Sequence, residues 1–569
     1  MTAAPDSTNI VRHAAWNFWQ NPIFRRYCQS RLRPRGMGVS LLFTVLVAGF
    51  FVAISTAIGA RGDLSAVDAA RGPIIPLYVV QCLILFVLGT AQVAGGMTAE
   101  RDEGVIDYQR LIPMSPLAKV VGYLFGLPVR EYVMFLATVP FMGWCLWRGE
   151  VSWRVWLPLC TVLFSTTLLY HLTGLVTGTV ARNRRWAFLA SIGLVFALYT
   201  IIPQLARFGL VFFKYLTTAP VFSEALSGIL PQDAGAVVAA GQRLLPSVKF
   251  FNLDFSETVF TLFSQGGLIL TFGVMLCRRW RRSEANLLGK PWAVGFFVWV
   301  QVLLLGNALP LIEPGNLFPS REFSRMIRLR LDWQPEPMEA MVLTGIYGFI
   351  TLLVLHLLGN LITPTPDRQV QGWRRTRKLG QSRIPWLADA GSGWWFTLVM
   401  ALAGGVGWYL FTRAVVESRW FPGQVVPLSV LGYFTALLFG AGVGFQALLE
   451  SRGGPVVRLV GILAGLVPLM AGAVLCVISE ALYPVGVWVI GISPISLPFY
   501  AAGSVLPVAE LPDSIARAVP NAFYFWLFVS ILSSLWLAWD LRTRRKAMAA
   551  MRTAPGEQPD GSSGFDPVR

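Results

Sequence analysis

The densest group of charged residues that could carry out recognition chemistry lies at residues 100–119, which read E-R-D-E-G-V-I-D-Y-Q-R-L-I-P-M-S-P-L-A-K. Glu100, Asp102 and Glu103 place three carboxylates within four residues, and long apolar runs flank the segment on both sides. Such carboxylates can bind cationic groups on a protein partner. An ordinary solvated loop, in which the acidic residues only add solubility, is equally compatible with the residues alone.

The same segment predicts a compact helix-turn-helix. Thr98 can cap a helix whose first turn is acidic, Gly104 interrupts that helix, and Pro113 ends it. Ser115 can cap a second short helix over residues 117–127. The first helix would present an apolar face, suited to docking a soluble partner, made of Val105, Ile106, Leu111 and Ile112.

Searches for catalytic and nucleotide-binding motifs find none. The phosphate-binding pattern G-x-x-x-x-G-K-[ST] is absent, because Gly289-Lys290 is followed by Pro291, so ATP binding by this chain is not predicted. His171 and His356 lie inside apolar runs, where a polar side chain usually hydrogen-bonds a neighbouring helix. The six cysteines contain no CxxC pair. We predict no catalytic residue, no cofactor and no metal site.

Carboxylates deep inside membrane spans are typical of transporters driven by ions. Here they are scarce. Glu131, beside Arg130, falls at the end of an apolar run, and Glu450 and Glu480 lie just beyond two others. This distribution disfavours a self-sufficient secondary transporter, which stays the main alternative, and no cluster of nucleophile and base favours an intramembrane enzyme. A non-transporting integral membrane protein is the third possibility.

The composition defines the elements that must position these residues. Hydrophobic residues make up 55% of the 569 residues and charged residues only 14%, which is typical of a polytopic membrane protein. A net charge of +17 does not indicate nucleic-acid binding, because the arginines flank apolar runs instead of forming a basic domain. The expected partner of most of the surface is therefore the lipid bilayer.

We predict an all-α fold of about 12 transmembrane helices, because a helix of about 20 apolar residues spans a bilayer. The predicted spans are residues 39–60, 74–95, 129–147, 156–180, 186–206, 259–277, 292–312, 341–362, 394–411, 426–448, 459–478 and 523–539. Proline-broken apolar stretches before the sixth and twelfth spans predict re-entrant segments and a six-plus-six arrangement.

The predicted domains are a cytoplasmic interfacial helix (1–37), a first half (38–283) with a coupling loop (98–119), a second half (284–545) and a disordered tail (546–569). Arginine clusters place both termini in the cytoplasm. The arginines in residues 314–338 disagree with that topology, and they predict either an interfacial helix or a shifted span.

The N-terminal region predicts an amphipathic helix that lies in the headgroup layer. Asn21 can cap it, Pro22 suits its first turn, and Ile23, Phe24 and Tyr27 share one face. Arg25 and Arg26 complete the interfacial set. A disordered basic leader that only sets the topology is the alternative.

These motifs resemble the type-2 ATP-binding-cassette transporter permeases. Their first cytoplasmic loop has the approximate pattern E-R-E-x-G-T-x-x-x-L-L-x-T-P-[LIVM]-S, and an interfacial helix similar to N-P-I-F-R-R-Y precedes their first span. Val105 and Ile112 stand where that family commonly has threonine, and residues 361–390 lack the E-R-x-E-G frame. The resemblance covers the first half of the chain.

The resemblance implies the membrane subunit of an ATP-driven exporter in a bacterial cytoplasmic (inner) membrane. A separately encoded ATPase would dock on the first loop, and the pathway would form in a homodimer or an internal pseudo-dimer. The implied ATPase-coupling residues are Glu100, Arg101, Asp102, Glu103, Gly104, Leu111, Pro113, Met114 and Ser115.

Overall fold

The computed structural model describes residues 17–62, 64–181, 183–206, 210–231, 248–282, 284–321, 333–381, 384–450, 454–506 and 513–550. Within these ranges the chain is helical apart from one antiparallel hairpin, β1 (Val248–Phe250) with β2 (Leu253–Phe255). An all-α polytopic membrane protein is therefore confirmed, with this hairpin as a small addition. The predicted interfacial helix around residues 322–330 and the tail after residue 550 lie outside the described residues.

The chain forms two compact units, of which the first comprises residues 1–288 and 302–333. Its helices are α1 (Pro22–Arg31), α2 (Pro34–Arg61), α3 (Ala66–Arg71), α4 (Ile74–Cys82), α5 (Thr90–Asp102), α6 (Val105–Leu111), α7 (Pro116–Gly126), α8 (Val129–Arg148), α9 (Trp153–Val180), α10 (Arg184–Thr200), α11 (Ile202–Leu205), α12 (Ala219–Ile229) and α13 (Glu257–Arg281). Two 3-10 helices, Phe18–Gln20 and Val211–Leu216, and a π-helical segment, Leu83–Gly89, complete it.

The second unit comprises residues 289–301 and 334–569. Helix α14 (Lys290–Ile312) contributes its first part here and its last part to the first unit. The remaining helices are α15 (Pro337–Ile362), α16 (Pro366–Lys378), α17 (Trp394–Val416), α18 (Ser429–Glu450), α19 (Gly454–Ile478), α20 (Tyr483–Ile490), α21 (Leu497–Val505) and α22 (Asp513–Ala550), with a 3-10 helix at Glu480–Leu482.

Among the described residues, nine helices are long and apolar enough to cross a membrane. A tenth crossing results if α7 and α8, which meet at an angle of 54°, form one bent span. The nine are Pro34–Gly59, Ala66–Asp102, Trp153–Val180, Glu257–Arg281, Lys290–Ile312, Pro337–Ile362, Trp394–Val416, Ser429–Glu450 and Ile515–Thr543. The predicted number of 12 spans is not confirmed.

One of the predicted spans falls short for a physical reason. Residues 186–206 form α10, which has 17 residues and begins with two arginines, so its length is about 25 Å against a hydrocarbon core of about 30 Å. The predicted span 459–478, by contrast, lies within the single helix α19. Apolar composition over about 20 residues did not guarantee an unbroken helix of that length.

The bend between α7 and α8 has a clear cause. Pro128 has no backbone N–H and precedes α8 directly, so the hydrogen-bond ladder of α7 closes when Leu127 donates to the carbonyl of Tyr123 at 3.0 Å. The second short helix predicted over residues 117–127 is confirmed as α7 (Pro116–Gly126). Both broken stretches also contain short helices, α12 in the first unit and α20 with α21 in the second. Whether they enter the bilayer as re-entrant segments stays a prediction.

Candidate functional site: the coupling hairpin

Helix α1 begins as the sequence predicts. Asn21 caps it by accepting hydrogen bonds from the N–H groups of Ile23 and Phe24, and Pro22 occupies its first turn. The Asn21 amide also donates to the carbonyl of Ala118 in α7 at 2.6 Å. The cap therefore joins α1 to the segment from α5 to α7, which we call the coupling hairpin (residues 98–126).

Glu100 is the centre of this connection. Its carboxylate accepts hydrogen bonds from the Arg26 guanidinium, from the Tyr27 hydroxyl at 2.7 Å and from the Tyr123 hydroxyl at 2.9 Å. The Glu100 side chain is only 14% exposed. A carboxylate with three donors from two other helices is an internal anchor, and it is not free to receive a partner protein.

The charge of Glu100 also acts on its donors. Burial and then the adjacent Glu100 charge raise the pKa of the Tyr27 hydroxyl well above its ordinary value, so Tyr27 stays protonated and donates. Burial alone would lower the pKa of the Arg26 guanidinium, but its hydrogen bond to Glu100 raises that pKa overall. Both donors therefore keep their protons across the physiological pH range.

Aromatic packing surrounds the anchor. The Tyr27 ring meets the Tyr123 ring edge-on at 5.9 Å, and Tyr123 stacks on Trp280 of α13 at 5.3 Å. Tyr123 is fully buried in a core that also contains Ile23 and Ile106. The predicted apolar face of α1 thus packs on protein, because Ile23, Phe24 and Tyr27 are all buried.

Glycine permits the close approach of α1 to α7. A Cβ added at Gly126 would lie 2.7 Å from the Tyr27 ring, and one added at Gly122 would lie 2.7 Å from the Asn21 amide oxygen. Any larger residue would push α1 away from the hairpin, and the Glu100 hydrogen bonds would lengthen.

The base of the hairpin is joined to α9 as well. The Arg101 guanidinium donates to the carbonyls of Gly178 and Thr179 at the C-terminus of α9, at 3.4 and 3.3 Å. Thr98 is buried within α5 and donates to the carbonyls of Ala94 and Gly178. The prediction that Thr98 begins a helix is therefore wrong: α5 continues through it and ends at Asp102, because the apolar span and the acidic segment form one helix.

The tip of the hairpin is formed by α6 and the residues on either side of it. Gly104 has a φ of +73°, the left-handed conformation that glycine adopts without strain, and this reverses the chain between α5 and α6. Ile106 is buried, whereas Tyr108 is 70% exposed and Leu111 is 82% exposed. The tip thus exposes two large, mainly apolar side chains.

Acidic side chains border this apolar pair. Asp102, Glu103 and Asp107 are exposed, and Asp107 forms an ion pair with Arg110 within α6. Lys119 is buried and donates to the carbonyl of Arg110 at 3.2 Å, which fixes the end of α6 against α7. The outer surface of the tip is therefore apolar at its centre and acidic at its edge.

The structure divides the predicted coupling residues into two groups. Glu100 and Arg101 face inward, and Ser115 accepts from the N–H of Ala118 as the cap of α7. Asp102, Glu103, Leu111 and Pro113 are exposed, and Met114 is half-buried.

Sequence analysis did not single out Tyr108 or Tyr123. The apolar Ile106 could have indicated Tyr108, because two positions along a helix turn the side chain by about 200°, so an inward-facing Ile106 places Tyr108 on the outer side. Nothing in the local sequence around Tyr123 indicates that its hydroxyl reaches Glu100.

A further polar side chain, His171, lies within the apolar helices of the first unit. His171 is fully buried, donates from Nε2 to the carbonyl of Leu85 at 2.9 Å and accepts at Nδ1 from the Tyr132 hydroxyl at 2.8 Å. Leu85 belongs to the π-helical segment, where carbonyls are released from the regular ladder. As predicted for a lone histidine in a span, His171 bonds to neighbouring helices.

Among the described residues, no group of three or more His, Cys, Asp or Glu side chains could hold a metal ion. Comparisons with protein-family models, curated proteins and solved structures give no match to this chain. The geometry of the coupling hairpin is therefore the basis for assigning a function to this chain.

Proposed function

We propose that this chain is the membrane-spanning permease subunit of an ATP-driven exporter of the ATP-binding-cassette class. A separately encoded ATPase would dock on the tip of the coupling hairpin. The observation that supports this most is the exposure of Tyr108 and Leu111 on α6, at the tip of the hairpin. Glu100 and Arg101 of α5 hold the base of that hairpin in place. An exposed apolar pair on a rigid base is suited to receive force.

The chemistry of the tip indicates what the partner must offer. Large apolar side chains contribute most of the binding energy at protein interfaces when they enter a pocket, and charged groups at the edge select the partner. Tyr108 and Leu111 would fill an apolar pocket of the ATPase, and Asp102, Glu103 and Asp107 would face basic residues around it.

The connections of the hairpin suggest how motion reaches the bilayer. Helix α5 is the end of the candidate span Ala66–Asp102, and α7 leads through the bend at Pro128 into α8. Force on α6 would therefore tilt two spans, while α1 moves with them through Glu100. The transported molecule must bind the two resulting states with different affinity for ATP to drive export.

The test is co-purification from native membranes. We expect the double variant Tyr108→Ala/Leu111→Asp to lose the ATPase that purifies with the tagged full-length chain, with binding weakened about 30-fold or more, because it removes two central contacts. Leu428→Asp is the matched control, because Leu428 is 70% exposed but distant in sequence. Retention of wild-type ATPase activity by the double variant, with normal folding, would contradict the proposal.

One observation favours the secondary transporter as a second candidate. Glu131 is fully buried in α8, where one carboxylate oxygen accepts from Arg130 at 2.9 Å and the other has no hydrogen-bond partner among the described residues. Buried carboxylates in membrane spans can carry protons.

Glu131→Gln separates the two candidates. If ATP drives export, the compound that accumulates in cells lacking the chain should be cleared by Glu131→Gln at a rate within about twofold of wild type, since the glutamine is isosteric and no proton is carried. The measurement is lipid and metabolite profiling of cells with each variant. Two results together would favour the secondary transporter: Glu131→Gln no longer clears the compound, and wild-type cells also stop clearing it when the proton gradient is collapsed at constant ATP.

A further inference from the structure

We propose that the π-helical segment Leu83–Gly89 is a hinge in the span that leads to the coupling hairpin, and that His171 of α9 is the latch that holds it closed. We call Leu83–Gly89 the hinge segment, and it lies inside the candidate span Ala66–Asp102. The hinge is a property of this chain alone and needs no ATPase, so it goes beyond the proposed transport function.

The hinge segment is the weak part of the backbone ladder in this span. A π-helical turn has a wider hydrogen-bond ring than an α-helical turn, and such turns are rare and frequent at functional positions. Regular α-helix continues on both sides, as α4 before the segment and α5 after it. The span should therefore open first in the hinge segment, and the arm that carries the coupling hairpin should turn about it.

Thr90 indicates that a second hydrogen-bond arrangement is close at hand. In a regular helix a threonine hydroxyl can donate to the carbonyl four residues earlier, as Thr98 does to Ala94 at 2.9 Å in the same helix. The Thr90 hydroxyl is buried but has no hydrogen-bond partner among the described residues. The equivalent acceptor would be the carbonyl of Phe86, which belongs to the hinge segment. Closing the wide turn to a regular α-helical one would give Thr90 the bond that it lacks.

His171 stabilises the π-helical arrangement against that change. Its Nε2 donates to the carbonyl of Leu85, in the middle of the hinge segment, at 2.9 Å, and the imidazole is fully buried. Gly89 lies directly against the ring, since an added Cβ would come 2.4 Å from Nε2. One imidazole thus bonds a carbonyl inside the segment and packs on its last residue, so it must move when the segment rearranges.

Both arms of the coupling hairpin lead to this histidine. One arm is α5, which continues the hinge segment directly. The other arm runs through the bend at Pro128 into α8, where the Tyr132 hydroxyl donates to Nδ1 of His171 at 2.8 Å. Because Nδ1 accepts from Tyr132, Nε2 carries the proton that the Leu85 carbonyl requires. A displacement of the hairpin therefore reaches the latch from two sides.

The experiment measures amide hydrogen exchange, by mass spectrometry, in residues 83–91 of the full-length chain purified in detergent. We expect His171→Leu to accelerate exchange there about tenfold or more, because two hydrogen bonds are lost and the hinge segment opens more often. His171→Gln should stay within about threefold of the wild type, because its amide can donate to Leu85 and accept from Tyr132. Wild-type exchange in His171→Leu would overturn the proposal.

Deletion of Leu88 separates a latch from a side chain that only fills space. Leu88 is 39% exposed, and removing one residue converts the π-helical turn into an α-helical one while the flanking helices keep their directions. A regular ladder needs no latch, so the deletion combined with His171→Leu should restore exchange to the wild-type rate or below. If the combined variant exchanges as fast as His171→Leu alone, the acceleration came from the cavity left by the imidazole, and the proposal is overturned. Should that chain fail to fold, Leu83, which is 50% exposed, is deleted instead.

The matched control is His356→Leu. His356 also lies inside a candidate span, α15, but its Nδ1 pairs with the carbonyl of Leu352 in its own helix at 2.9 Å. Exchange in residues 83–91 should equal that of the wild type in this variant. Equal acceleration by His356→Leu and His171→Leu would overturn the proposal, because loss of any histidine from a span would then loosen the hinge segment.

Discussion

Lys290→Met should destabilise the second unit more than any other single substitution in it. The Lys290 ammonium is 1% exposed and donates to the carbonyls of Trp386, Ala388, Gly391 and Ser392, at 2.7 to 3.3 Å. Methionine has a similar length but no donor, so these carbonyls would lose a charged partner. Hydrogen bonds to charged groups contribute about 1.5–3 kcal/mol each, and unsatisfied buried carbonyls cost more, so we expect a loss of about 3–5 kcal/mol.

The measurement is the thermal unfolding midpoint of the detergent-purified chain, which should fall by about 5–10 °C. Lys378→Met is the control, because Lys378 is exposed, and it should shift the midpoint by less than about 1 °C. Lys290→Arg should also destabilise, since a planar guanidinium cannot direct its donors to four carbonyls around one point. An unchanged midpoint for Lys290→Met would show that the carbonyls find other partners and that the loop of residues 386–392 is not held by this lysine.

Local signals in the sequence predict local structure well here. Asn21-Pro22 and Ser115-Pro116 begin helices where predicted, because the cap and the first-turn proline act within four residues. The positions of most spans could also be predicted, because an apolar run of about 20 residues is itself a local feature of the sequence. The length of α10 could not be predicted, since composition does not specify where an apolar helix ends.

Contacts between residues far apart in the sequence could not be predicted from it. Glu100 belongs to the predicted coupling set, yet its donors Arg26, Tyr27 and Tyr123 lie on two other helices, and only packing brings them together. Similarly, Lys290 drew notice only as part of a failed nucleotide-binding pattern, because its partners lie about 100 residues further along the chain. A charged side chain looks the same in a sequence whether it faces solvent or a buried cage of carbonyls.

The second large effect is expected from substitution of Glu100, an inward-facing residue of the coupling hairpin. Glu100→Ala should release α1 from the hairpin, because the hydroxyls of Tyr27 and Tyr123 and the Arg26 guanidinium would lose their common acceptor. The two hydroxyls are buried and the guanidinium is partly exposed, and together these donors without an acceptor cost about 2–4 kcal/mol. Amide hydrogen exchange in α1 should therefore accelerate about 30-fold or more, with little change in the rest of the chain.

Glu103→Ala is the matched control, since Glu103 is exposed and lies three residues away; its α1 exchange should equal that of the wild type. A double-mutant cycle between Glu100→Gln and Tyr123→Phe should give a coupling energy of about 1 kcal/mol or more if the hydrogen bond is formed. If α1 exchange in Glu100→Ala stays at the wild-type rate, α1 is held by its apolar face alone.

Glu100→Ala and Glu103→Lys together separate anchoring of α1 from docking at the tip. If the proposed ATPase docks on the tip, Glu100→Ala should leave it bound, because the Glu100 side chain is only 14% exposed and Tyr108 and Leu111 stay available, while export per ATP hydrolysed falls. Glu103→Lys should do the reverse, weakening ATPase binding through repulsion at the edge of the tip without loosening α1. Measuring bound ATPase and export for both variants tests this directly: if Glu100→Ala loses the ATPase as completely as Tyr108→Ala/Leu111→Asp, then the tip is not an independent docking surface, and α1 must form part of it.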